Sequence, residues 1–456
     1  MAVEETLATW LVRQRWFAGK GRSLRDLAIV ANTQIISGDP ELRHLIVTVS
    51  HGTTVDYYQV FLGLRSKLPP RLRHSRIGQM KGMGEANAMR IGYDALHDAD
   101  LTKPLLAMIA TDATEGTLSF HKLPTAEFET GLDSLVITTE QSNTSLVFGD
   151  ESILKVFRRL SPGPNPDLEV TSALANLGSP HIAEPLGWAS IVMEGVPTIL
   201  GILSRYLRLA TDGWSLAATS VRDLYATQST SDFGSRAGEA GGDFAPESHR
   251  LGTATASVHR DLAGAFGTDE LPSDAISELT EQMFRKLDLA TAQVPELTRY
   301  SDMIGDAYSS VAKLKGPFPV QRVHGDYHLG QVLRTETGWV VLDFEGEPAT
   351  PLAQRRARSS PLRDVAGMLR SYDYAARHQL LTHPERERLL PVARDWVRRN
   401  AAAFCHGYAE AGGLDPYANE VLLRALQLDK AVYEVMYEAR HRPSWLSIPL
   451  DSLADF

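Results

Sequence analysis

The chain has 456 residues, 43% hydrophobic and 22% charged, enough for two or three domains with sizeable cores. A net charge of −10 argues against a nucleic-acid partner, which would need clustered Lys and Arg. A single cysteine, Cys405, excludes an intrachain disulfide, and no apolar run reaches membrane-spanning length. Acidic Glu4 and Glu5 precede a short amphipathic stretch without a signal-peptide layout, so the expected location is cytoplasmic. Nothing in the chain points to an oligomer, and a monomer is expected.

Residues 1–90 read as a small separate module. A helix over 5–13 leads into Gln14-Arg15-Trp16-Phe17-Ala18-Gly19-Lys20-Gly21-Arg22. Alternating strands follow at 45–49 and 55–63. The Gly-Lys-Gly lacks the glycine spacing and the Ser/Thr of a phosphate loop, so Trp16 and Phe17 are expected to anchor the module's core. The basic run 65–76 reads as a solvated loop.

Residues 91–205 form a β-rich stretch. Strands are predicted at 135–139, 146–148 and 153–157, with Gln141, Ser142, Asn143, Thr144 and Ser145 as a polar turn. Lys155 sits mid-strand among apolar residues, where an unpaired charge is costly. A partner is therefore expected, and Glu169, in a helix opened by Pro166, is the best placed carboxylate. Strands near 182–191 and 196–203 run into Ser204-Arg205-Tyr206-Leu207. Residues 206–456 are mostly helical, with a glycine-rich loop at 234–242 and a helix over 252–266.

The densest signal is Val-His-Gly-Asp-Tyr-His-Leu-Gly-Gln-Val-Leu at 323–333, followed by Val-Val-Leu-Asp-Phe-Glu at 340–345. Asp326 follows a predicted strand, Gln331 comes five residues later, and Asp343 ends an apolar strand twelve further on. Phosphoryl transfer from a nucleotide needs those three groups. One carboxylate takes the acceptor's proton, and a carboxylate with an amide holds magnesium on the phosphates. Gly325 stands where protein kinases carry an arginine, so no phosphorylated activation loop is implied. His328 is expected to touch the acceptor or orient Asp326, with a bond to loop backbone as the alternative. Glu345 either joins the magnesium shell or faces water. Asp364, opening a helix, is expected to brace the catalytic loop. With this motif in place, the strand–turn–strand around Lys155 reads as a nucleotide lobe. Ser142, Asn143, Thr144 and Ser145 then stand in for a glycine-rich loop, and Arg205 and Tyr206 lie at the adenine hinge.

On a helix over 420–442, Lys430, Tyr433, Glu434, Tyr437, Arg440 and His441 share one face, and Leu428, Val432, Val435, Met436 and Ala439 the other. Tyrosines among charged groups suit a sugar, whose C–H face stacks on rings while its hydroxyls find donors and acceptors. The mixed charge of Lys430, Glu434, Glu438 and Arg440 argues against a strongly cationic acceptor. Trp445 offers a further platform.

Segments 14–22, 140–145 with Lys155, 323–333, 342–347, 360–366 and 428–449 together resemble the bacterial maltokinases, within the aminoglycoside-phosphotransferase-like small-molecule kinases. The resemblance implies an α+β, bilobal kinase-like fold: an N-terminal cap over 1–90, a β-rich nucleotide lobe over 91–205 and a helical lobe over 206–456. It implies transfer of the ATP γ-phosphoryl to the anomeric hydroxyl of maltose with Mg2+, feeding α-glucan synthesis. In that reading Asp326 is the base, Gln331 and Asp343 the magnesium ligands, Lys155 the phosphate anchor, and the face from Lys430 to Arg440 the sugar site. A kinase of a related sugar, amino sugar or aminoglycoside, such as a glucosamine kinase, is the alternative, and a regulatory pseudokinase a remoter one.

Overall fold

The computed structural model describes residues 3–19, 26–51, 54–81, 89–137, 142–227, 242–347 and 350–456. Lys20–Arg22, Gln141 and most of the expected loop at 234–242 lie outside them. The chain divides into two compact units, one of residues up to Glu169 with Ala183–Arg208, the other of Val170–Ile182 with Leu209–Phe456.

The first unit holds two antiparallel sheets. Helix α1 (Val3–Leu11) precedes β1 (Asp26–Ile36), β2 (Glu41–His51), β3 (Thr54–Arg65), β4 (Arg76–Lys81) and β5 (Met89–Asp94), ordered β1-β2-β3-β5-β4. Trp10 and Phe17 are buried with Leu7, Leu45 and Val60 on one face of this sheet, with Trp16 packed against them. Helix α2 (Ala99–Ala110) leads to β6 (Thr114–Glu115), β7 (Leu118–Lys122), β8 (Ser134–Ile137), β9 (Asn143–Phe148) and β10 (Ser152–Phe157). A short β11 (Arg159–Leu160) pairs with β3. After α3 (Pro166–Asn176), β12 (Pro185–Met193) and β13 (Val196–Arg205) complete a second sheet ordered β6-β7-β12-β13-β10-β9-β8.

Buried polar groups tie the two sheets together. Gln59 on β3 donates to the carbonyls of Phe157 and Leu200, each at 2.6 Å, and bonds His44 at 2.9 Å. Arg158, 1% exposed, pairs with Asp94 at 2.5 Å, donates to Thr144 Oγ1 at 2.8 Å and lies over the Trp16 ring. A buried guanidinium needs an opposite charge beside it, which Asp94 supplies, so these partners set its place. The run 65–76 is not a free loop: Arg65 reaches buried Asp98 at 2.7 Å, and Arg71 reaches it at 3.1 Å.

The second unit is helical around small sheets. It contains β14 (Thr211–Asp212), α4 (Gly213–Thr227), α5 (Ala245–Phe266), β15 (Thr268–Leu271), α6 (Ser273–Gln293) and α7 (Ser301–Ala312). Next come β16 (Phe318–Gln321), β17 (Val332–Arg334), β18 (Trp339–Val341), α8 (Leu352–Arg355), α9 (Leu362–His378), α10 (Arg386–Glu410), α11 (Glu420–His441) and α12 (Ser447–Ser452). Strands β14, β17 and β18 form one sheet, β15 and β16 another. One core runs through the helices, with Trp339, Tyr372, Trp396 and Phe404 fully buried and Cys405 among its small residues. The α+β class is as expected. No described helix is long and apolar enough to cross a membrane.

Candidate active site

The catalytic-loop candidates fall on the turn between β16 and β17. Gly325 has φ +86°, a region that costs glycine little. That explains glycine before Asp326 better than the loss of an arginine does. The turn is held from beneath by α9. Asp364, 1% exposed, accepts from the backbone N–H of His324 at 2.7 Å and of Gly325 at 2.9 Å. His259 of α5 bonds the same carboxylate at 3.0 Å and Tyr408 of α10 at 2.8 Å. His324 in turn reaches the Leu342 carbonyl at 2.8 Å. The bracing role expected of Asp364 is thus present, through a network that buries and satisfies each member.

Asp343 follows β18 with φ +64°, unusual for a residue with a Cβ, though Asp is among the side chains that visit it. Gln331 Nε2 donates to Asp343 Oδ2 at 3.2 Å, so the amide and carboxylate expected to share a metal stand together. One carboxylate oxygen of Asp343 and one of Glu345 lie within 4.8 Å of each other. This amide–carboxylate set supplies hard oxygen donors, the kind magnesium takes. His328 Nδ1 accepts from the Gly330 N–H at 3.0 Å, while the ring lies close enough to Asp326 to act on its carboxylate.

Lys430 of α11 lies with its ammonium 3.3 Å from Asp326 Oδ1 and 2.6 Å from Glu347 Oε1. Burial alone would raise the Asp326 carboxyl. The nearby charges of Lys430, His328 and His324 outweigh burial and hold it below the usual carboxylate range. Burial would lower the Lys430 ammonium, but Asp326 and Glu347 raise it well above the ordinary lysine value. Both groups are therefore charged at neutral pH, as an acceptor-orienting base requires.

The rest of the α11 face divides. Lys430 sits over the Tyr433 ring, Tyr433 stacks on Tyr437 at 6.2 Å, and Tyr437 stacks on His441 at 4.5 Å. Glu434 instead turns toward α9, where Arg370, 2% exposed, reaches it at 2.7 Å and Asp373 at 2.7 Å. Arg440 reaches Gln293 at 2.7 Å, and Glu438 is buried against Arg442. Trp445 packs on Arg442 and His378. Sequence reasoning missed Glu347, Arg370 and Asp373. The acidic Glu-Gly-Glu after Phe344 was the only trace of the first.

In the first unit, Lys155 finds Asp167 at 3.4 Å, two residues ahead of Glu169 on the same helical turn. Its ammonium lies 5.4 Å from the Phe157 ring centre. The expected turn ends sooner than read: β9 starts at Asn143, and Ser145 pairs in register with Lys155. Thr144 and Ser145 are buried strand residues, Thr144 being bonded to Arg158, while Ser142 precedes the strand. The pull toward the strand is the buried run Leu146-Val147-Phe148, which extends pairing backward through β-branched Thr144. Arg205 pairs with Glu184 at 3.2 Å, and Tyr206 N–H bonds the Glu151 carbonyl at 2.8 Å.

Residues 10–98 match the family of the maltokinase N-terminal cap domain. The glucosamine kinase of Streptacidiphilus jiangxiensis is 31% identical over 331 residues, 70% of this chain and 72% of that protein. The glucosamine kinase of Mycolicibacterium smegmatis is 31% identical over 326 residues, 69% of this chain and 77% of that one. A solved glucosamine kinase in complex with glucosamine, ADP and inorganic phosphate superposes with a TM-score of 0.67 at 25% identity, covering 100% of this chain and 99% of that one.

Proposed function

We propose that this chain, which belongs to the family of sugar kinases that includes those glucosamine kinases, transfers the γ-phosphoryl group of ATP to the anomeric hydroxyl of maltose, giving maltose 1-phosphate and ADP. The observation that carries the reading is the second unit's braced loop. It presents ionised Asp326 beside Lys430, with Gln331 against Asp343. Asp326 accepts the hydrogen bond of the attacking hydroxyl, orients its oxygen and receives its proton as the bond to phosphorus forms. Lys155 is assigned to the nucleotide phosphates. Gln331 and Asp343 would hold Mg2+, with Glu345 adjacent; when bound, the ion neutralises charge on the phosphate oxygens.

Two points support a disaccharide. The stack from Tyr433 through Tyr437 to His441 runs along about 12 Å of helix, the length of two pyranose rings rather than one. It begins beside Lys430 and Asp326, so a sugar laid along it has one end at the base. The cap-domain match points the same way. Glucosamine is the second reading, favoured by the named relatives. The charge argument against a cation is weaker than the sequence implied, because Lys430 is neutralised by two carboxylates and Arg440 is taken by Gln293. The test is ADP release with MgATP across maltose, glucose, glucosamine and an aminoglycoside. Maltose with the highest kcat/KM supports the proposal. Glucosamine ahead of maltose transfers the assignment to the second reading, and turnover with no sugar refutes both.

A further inference from the structure

Helices α5 and α10 touch where only glycine fits. A Cβ at Gly407 would stand 2.1 Å from the His249 carbonyl oxygen, and one at Gly252 would stand 2.1 Å from that of Phe404. Thr253 Oγ1 bonds the carbonyls of His249 at 3.2 Å and Gly407 at 3.3 Å. The two backbones are therefore held at a fixed, short spacing.

On the outer rim of this junction three side chains converge, one from α5 and two from α10. Glu410 Oε2 lies 2.9 Å from His249 Nε2 and 3.6 Å from His406 Nδ1, and one ligand atom from each residue lies within 4.8 Å of the other two. The imidazole centres are 5.8 Å apart. His406 and Glu410 are one helical turn apart on the same face, and His249 completes the group from the neighbouring helix.

We propose that His249, His406 and Glu410 form a binding site for a divalent transition-metal ion of the zinc class, which clamps α5 to α10. Two imidazoles here face a single carboxylate oxygen. A proton serves one nitrogen–oxygen contact, whereas a metal ion engages both imidazoles and the carboxylate together. Two imidazoles with one carboxylate are a donor set for zinc, cobalt or nickel, not for magnesium or calcium, which take oxygen. The donors need to close to about 2.0–2.2 Å from the ion. His406 and Glu410 are exposed and His249 is half-buried at the surface, so side-chain rotation suffices while the helix backbones stay in place. Water takes the fourth position. The same helix pair carries Tyr408 and His259, which bond each other, and His259 in turn reaches Asp364.

The test is calorimetric titration of zinc into the tag-free, chelator-stripped full chain at pH 7.5, with cobalt absorption as a second readout. The expected result is one equivalent bound at roughly micromolar Kd, with a thermal midpoint that rises as zinc exceeds Kd. His249→Ala, His406→Ala and Glu410→Gln should each weaken binding tenfold or more while leaving magnesium-dependent sugar phosphorylation unchanged. Circular dichroism should show each variant folded. Zinc binding no tighter than millimolar overturns the proposal. So does unchanged affinity in the His249→Ala/His406→Ala double variant.

Discussion

Replacing Asp364 with Asn should cost both stability and turnover, by amounts that follow from its contacts. The carboxylate takes the N–H groups of His324 at 2.7 Å and Gly325 at 2.9 Å on separate oxygens, and His259 at 3.0 Å. An amide keeps one oxygen and turns an NH2 toward the other backbone donor. That leaves one buried N–H without an acceptor and removes the charge from the remaining bonds. The cost is roughly 2–4 kcal/mol, or roughly 5–15 °C in midpoint for a unit of this size. Asp326 lies one residue beyond Gly325, and a shift of about 1 Å at a reacting group costs on the order of a hundredfold. So kcat should fall by about that factor while KM for ATP changes little. Burial would raise the Asp364 carboxyl, but His259, His324 and the Gly325 N–H outweigh it and hold it below the usual range. With its folded pKa depressed, its contribution is present above the unfolded carboxylate pKa of about 4 and is lost as pH falls further. The gap in midpoint between variant and wild type should therefore narrow in acid. Thermal unfolding at two pH values and ADP release decide the matter. An Asp364→Asn protein with wild-type midpoint and kcat would refute the bracing argument.

Asp343→Ala should abolish the magnesium-dependent rate, whereas Gln331→Ala should only raise the magnesium requirement, since a carboxylate supplies charge and an amide only a dipole. An unchanged magnesium titration in both would place the metal elsewhere. Tyr433→Ala should raise KM for the sugar several-fold with little effect on KM for ATP, and equal effects on both would remove Tyr433 from the acceptor site. His44, fully buried on β2, has its pKa lowered to about 4 by burial, against the opposing bond from Gln59. Its neutral form must persist in the fold, so stability drains as pH drops from about 6.5 toward 4, by on the order of 3 kcal/mol in full. His44→Met should flatten the fall of the midpoint between pH 7 and 5, and a slope equal to wild type would contradict that.

The readable part of the site was the part written contiguously. Asp326, Gln331 and Asp343 lie within eighteen residues, where spacing along the chain already limits geometry, and the structure brings Gln331 to Asp343 as that spacing implied. The α11 face was legible as a face because periodicity reports direction. What packs against it was not. Glu434 goes to Arg370 of α9 and Arg440 to Gln293 of α6, partners distant in sequence that only the folded helices select. The strand order around Lys155 was readable from apolar runs. The start of β9 was not, because Asn143–Ser145 are polar residues that suit a turn, yet cross-strand pairing with β10 recruits them. Asp364 was placed correctly at a helix start, whereas His259 and Tyr408, its support, carried no local signal.

The central claim, phosphoryl transfer to a sugar hydroxyl through Asp326, is tested most directly by phosphorus NMR of MgATP and maltose with wild type beside Asp326→Asn. Wild type should convert the γ-phosphate into a new sugar phosphate monoester. The variant should bind nucleotide normally yet form monoester slower by about a hundred- to ten-thousandfold. A variant that makes the monoester at the wild-type rate would contradict the account, and so would a wild type that makes none from any sugar.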